Sequence, residues 1–151
     1  MELALNYLYT ERYSEKHGLI TGATTFDWGD VQVEGGAVVD VDELTHWSID
    51  IYDNAMLILA LNHMGEFAPT SSDKGTWIQK SNKIFDNCRK HLWDSKNQKF
   101  IPHLYLDGSP FEEEFDEHAI HYHGGTAIAI EAGLLIRAEI RTVTDQMIKN
   151  V

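Results

Sequence analysis

Two stretches of the chain are apolar on nearly every face. Residues 55–61 carry no polar side chain, and residues 126–130, continuing towards Leu134, Leu135 and Ile136, carry only Thr126 at their start. A helix without a polar face is surrounded by protein. Two further stretches are amphipathic. Trp77, Ser81, Ile84, Phe85, Cys88 and Leu92 recur at helical spacing, with Lys80, Lys83, Asp86 and Lys90 turned away. Ile140, Val143, Met147 and Ile148 repeat the pattern near the end, and residues 2–16 are expected to form a first helix of this second kind. Such helices bury one stripe and show the other face to water. The order exposed, buried, exposed, buried, exposed predicts an all-α fold of stacked α-hairpins, inner helices shielded by outer ones. An irregular all-α bundle is the alternative on pattern alone.

The connections differ in length. Those from buried to exposed helix are short, about 65–71 and 133–137, and those from exposed to buried helix are long, about 17–47 and 93–124. Long loops in a compact domain are usually functional or disordered, and the aromatic and charged content of these two favours function. In stacked hairpins both belong at one end, beside the N-termini of the buried helices. Within the second, residues 99–106 alternate in the strand manner after a turn at 95–98, which predicts a short β-hairpin in that loop. No internal sequence repeat is visible.

The 151 residues predict one domain, 1–151, large enough for a core. A net charge of -12 makes the phosphate backbone of nucleic acid a poor partner. No apolar run approaches a membrane span, so no membrane partner is expected, and the first residues carry no signal-peptide pattern; the compartment stays open. The single cysteine, Cys88, falls on an apolar stripe and reads as an inert core thiol.

The first long loop holds Asp27, Trp28, Gly29 and Asp30. Glycoside hydrolysis needs one carboxylic acid to protonate the leaving oxygen and a second carboxylate to activate water or attack carbon. Sugars stack their apolar faces on tryptophan. Asp27 and Asp30 are therefore candidate catalytic residues and Trp28 a candidate sugar platform; a turn with capping carboxylates is the other reading. Asp50, Tyr52 and Asp53 lead into the first buried helix. Capping explains the two acids, while Asp53 at the head of an apolar stretch must face a polar cavity or a partner. An acidic run, Glu112 to Glu117, could supply another carboxylate without revealing which one. His118, His121 and His123 follow, at a spacing that fits no zinc motif, so no metal is expected and His121 and His123 are assigned to the lining of a pocket.

Four stretches together resemble the six-hairpin glycosidase superfamily: Gly18, Leu19 and Ile20 leading to Asp27 through Asp30; Ser48 to Leu61; His91, Leu92, Trp93 and Asp94 with the turn and strand up to Gly108; and His123 to Leu134. The resemblance implies an (α/α)6 toroid, of which two hairpins and one extra helix would be a part. It also implies hydrolysis of an oligosaccharide or glycoside, usually with inversion and without a cofactor. A part of a ring is expected to lack activity alone and to self-associate through its uncovered inner helices. A non-catalytic helical module that binds carbohydrate or protein is the alternative function.

Overall fold

A computed structural model of the chain describes residues 2–23, 46–111 and 113–150. Helix α1 (Glu2–Glu11) leads to strands β1 (Tyr13–Ser14), β2 (Leu19–Ile20) and β3 (Gly22–Ala23). Strand β4 (Trp47–Ile49) runs into α2 (Ile51–Glu66), followed by α3 (Ser71–His91). Strands β5 (Trp93–Asp94), β6 (Lys99–Phe100) and β7 (Leu104–Tyr105) precede a 3-10 turn (Glu117–Ala119), α4 (His123–Glu131) and α5 (Arg137–Lys149).

The expected all-α stack of hairpins, part of an (α/α)6 toroid, is therefore corrected. The described residues form five helices and strands in three small sheets, which is a mixed architecture. The physical reason lies in the long connections. Each begins by folding back on the end of the preceding helix as a tight hairpin, and the two then pair with each other. A hairpin does occur in the second connection, but its first strand is Trp93–Asp94, and Leu104–Tyr105 belongs to a different sheet.

The two tight hairpins are built alike. Tyr13 pairs with Ile20 and Ser14 with Leu19; Trp93 pairs with Phe100 and Asp94 with Lys99. The turns place Gly18 (φ 67°) and Gln98 (φ 53°) at equivalent positions in the left-handed region. Thr21 N–H donates to Arg12 O at 2.7 Å and Ile101 N–H to Leu92 O at 2.9 Å, so each hairpin is sewn to its helix at the same place.

Helix α2 is the centre of the core. Ile51, Ala55, Leu57, Ile58 and Leu61 are buried there, and α3 covers one flank with Trp77, Ile84 and Cys88 while α4 covers another with Ala129. Burying such side chains stabilises by about 1.5–3 kcal/mol each. Thr70 caps α3 by accepting from Asp73 N–H at 3.1 Å. Glu139 accepts from Ile136 N–H at the start of α5 and from the two terminal guanidinium nitrogens of Arg89 on α3, at 2.7 and 3.2 Å.

Two helical expectations also change. The second apolar helix does not run on to Ile136. It ends at Glu131, where Gly133 takes φ 75°, Leu134 N–H reaches Ala129 O and Gly133 N–H reaches Ile130 O. That pair of bonds closes the last turn, and only glycine enters such a conformation without strain. Nor is α2 enclosed on all sides, because Met56 is 44% exposed.

Candidate functional site

The three-stranded sheet decides where the polar groups meet. Strand β4 lies between β3 and β7, with Gly22 opposite Ser48, Ala23 opposite Trp47, Ser48 opposite Tyr105 and Ile49 opposite Leu104. Leu106 N–H adds a bond to Trp47 O at 2.9 Å. The two long connections are thus joined beside the start of α2. That is the arrangement expected from their lengths, reached through strand pairing rather than through loops.

Asp50 follows β4 and caps α2, its Oδ1 accepting from Asp53 N–H at 2.8 Å. Below it the buried Asn54 accepts from Ile20 N–H at 2.9 Å and donates to Ile20 O at 3.1 Å and to Asp50 O at 2.8 Å. This one amide fixes the first hairpin to the first turn of α2, a role that no local pattern announces. Tyr52 is half-buried in the same turn. Asp53 lines a cavity of about 460 Å³ together with Arg12, Thr21 and Gly22, and with apolar residues of α1 and α2. A Cβ on Gly22 would lie 3.1 Å from Asp53 Oδ2, so the absent side chain makes room for the carboxylate. Arg12 stacks its guanidinium 4.4 Å over the Trp47 ring.

Behind the sheet sits a buried polar cluster that sequence reasoning did not resolve. His103 Nδ1 is 2.7 Å from Glu117 Oε1, and Tyr105 donates its hydroxyl to the same oxygen at 3.0 Å. The His103 side chain is 2% exposed and that of Glu117 9%. Where Glu117 accepts in this contact, Nδ1 is the donor. The Tyr122 ring lies 6.1 Å from that of His103. Among the described residues of the acidic run, Glu117 is thus the one that turns inward. The run had flagged a carboxylate without selecting it, and the alternation around residue 103 was the only signal for the histidine.

The predicted site residues are partly gathered. Asp50, Tyr52 and Asp53 stand on the first turn of α2. His121 and His123 stand at the N-terminus of α4, and the first turns of the two helices meet where Gly125 faces Ile51. His121, however, lines a second cavity with His118 and Lys99 rather than the one at Asp53. Burial, then the charges of Lys99 and His123, holds the His121 pKa below its ordinary value. Asp27, Trp28 and Asp30 lie outside the described residues. Among the described residues no three of His, Cys, Asp or Glu converge to hold a metal ion. Cys88 is fully buried in the core, where desolvation, with Asp50 adding to it, pushes its thiol up to about 12. No protein-family model matches the chain, and no curated protein or solved structure matches it either.

Proposed function

We propose that the protein is a glycoside hydrolase acting on an oligosaccharide or glycoside, using carboxylates as acid and base, with inversion and without a cofactor. The observation that supports it most is the pairing of β4 with β7. That pairing joins the connection ending in Asp50 and Asp53 to the one carrying Tyr105 and Glu117. Carboxylates and aromatic rings at one end of the molecule are what a sugar site needs: acids for the glycosidic oxygen and the water, flat rings for the sugar faces. Asp27 and Asp30 remain the proposed catalytic pair and Trp28 the proposed platform. Glu117 joins them as a third carboxylate, positioned by His103 and Tyr105. The reading rests on these side chains and not on a ring of helices.

Two readouts test it on a panel of oligosaccharides and aryl glycosides: saturable binding by calorimetry, and release of reducing sugar. The expected result is binding that weakens about tenfold in Trp28→Ala, with release that falls by about a hundredfold or more in Asp30→Asn. Binding without release from the unmodified chain would turn the reading into that of a carbohydrate-binding module. The absence of both would overturn the carbohydrate assignment.

A further inference from the structure

We infer that the cavity between α1 and α2 binds an uncharged amphiphile, a hydroxylated head group carrying a short alkyl chain or an aryl ring. Its hydroxyl groups meet Arg12 and Asp53, and its apolar body lies along α2. The inference does not rest on the proposed hydrolase activity; it concerns what this cavity of about 460 Å³ holds. The polarity of the cavity is graded, and the fold sets the direction of the grade. Glu2 and Asn6, near the start of α1, share another cavity with Met64 and Phe67, near the end of α2, so the two helices run in opposite directions. At the other end Arg12, just after α1, meets the start of α2. Its carbonyl accepts from the Thr21 hydroxyl at 3.1 Å, and Asp53 Oδ2 stands 3.1 Å from where a Cβ on the next residue, Gly22, would lie.

Away from that end both walls are apolar. Along α2, Asp53 is followed in the lining by Met56, Leu57 and Ala60; back along α1, Arg12 is preceded by Leu8 and Leu5. Spacings of three and four residues keep each set on one face of its helix. From Asp53 to Ala60 the helix rises about 10 Å. Met56 is 44% exposed although Ala55 and Leu57 beside it are buried, so an unbranched apolar side chain stands open at the cavity, where it can adapt to a bound group. Apolar walls with a few placed polar groups, at a volume of about 300–1,000 Å³, are the usual makeup of a small-molecule site. An α-helix with its side chains is about 10–12 Å across, so a single turn of about 5.4 Å takes up roughly the whole space. The cavity suits a small molecule rather than a docked helix.

The polar end selects the head group. The Arg12 guanidinium, held against the Trp47 ring, donates only. The Asp53 carboxylate accepts, and so does the Thr21 hydroxyl, whose proton is spent on Arg12 O. A hydroxyl group both donates and accepts, so neighbouring hydroxyls match this set. Because one cation and one carboxylate share the end, an ionic head of either sign gains one attraction and meets one repulsion. The walls select the body. A second sugar ring there would leave its hydroxyls against leucine, methionine and alanine without partners. A methylene chain or a benzene ring carries no such cost and gains by leaving water.

The test follows backbone amide shifts of the full chain at neutral pH during titration with hexyl β-D-glucoside, methyl β-D-glucoside and hexanoate, all kept below micelle formation. Saturable shifts at Thr21, Gly22 and Ala60 are expected with hexyl glucoside. Its affinity is expected to be about tenfold or more above that of methyl glucoside, which lacks the body, and of hexanoate, which lacks the hydroxyls. Ala60→Trp, which fills the apolar end, is expected to lower hexyl glucoside affinity about tenfold or more. Asp53→Asn, which removes the repulsion, is expected to raise hexanoate affinity. Equal affinity for the two glucosides, hexanoate binding as tightly as hexyl glucoside, or undiminished binding in a folded Ala60→Trp protein would each overturn the site. So would shifts that fail to saturate or that gather at the exposed Phe67 and Ile148, the mark of nonspecific adsorption. Shifts of the same amides on concentrating the protein alone would assign the face to a second copy and overturn it as well. If Ala60→Trp does not fold, the comparison of the two glucosides and the Asp53→Asn titration decide it.

Discussion

His17, in the turn of the first hairpin, and His91, the last residue of α3, meet edge to face with ring centroids 5.5 Å apart. Each titrates below the ordinary 6.5: His17 through burial, then Lys16 and His91, and His91 through burial, then Lys90. His121 shifts the same way. A depressed pKa in the folded state means that the unfolded chain binds more protons in the window just below 6.5. The stability these groups confer is present above that pH and is lost as the pH falls through their folded values. The urea midpoint is therefore expected to fall between pH 7.5 and pH 5, and the fall to shrink in a His17→Asn, His91→Gln double variant. Both rings are partly open to water, so the effect is modest. A pH slope unchanged in the double variant would remove these two histidines from the account. The same scale explains why Glu117 escaped the sequence. Glu113, Glu114 and Asp116 differ from it in burial, not in chemistry, and its burial is set with His103 and Tyr105, 14 and 12 residues away.

At the scale of elements, the left-handed turn residue is the sensitive point of each hairpin. Gly18 accepts φ 67° without strain, whereas an added Cβ there would also run into the Asn87 amide, which donates to Gly18 O at 3.1 Å. Gly18→Ala is expected to cost about 1–2 kcal/mol from the backbone alone. Gln98 already bears that cost at φ 53°, and Gln98→Gly is expected to return up to about 1 kcal/mol after the entropy of glycine is subtracted. Urea midpoints of the two variants should move in opposite directions; movement in the same direction would show that the hairpins are not equivalent. The helices were legible because Trp77, Ser81, Ile84 and Cys88 mark a period of 3.6 that solvent exposure enforces. Strands of two or three residues leave no such period. The pairing of Ser48 with Tyr105 links positions far apart in sequence, which local pattern cannot report. Hence the gathering of the long connections could be inferred from their lengths, while the sheet that accomplishes it could not, and the expectation of an all-α stack failed at that point.

For the whole molecule, the contact between α2 and α4 sets the first turn carrying Asp50, Tyr52 and Asp53 against the one that His123 opens, and it turns on one glycine. Gly125 lies buried in the first turn of α4. A Cβ placed on it would come within 2.5 Å of Ile51 Cγ2, on the first residue of α2, and within 2.7 Å of the Tyr122 ring. Neither neighbour can withdraw cheaply. Ile51 is fully buried and β-branched, and Tyr122 packs against the same core. Gly125→Ala therefore sets a gain in helix propensity of about 1 kcal/mol against overpacking of about 1–3 kcal/mol, and packing is expected to win. Gly75→Ala supplies the control, since it sits in α3 with nothing within 4 Å of the added atom and should stabilise by about 0.5–1 kcal/mol. Denaturant midpoints that fall for Gly125 and rise for Gly75 would locate the constraint where the first turns of α2 and α4 meet. A rise for both would mean that α4 shifts freely against α2, and that Asp50 and Asp53 are not held in register with His123 by close packing at this point.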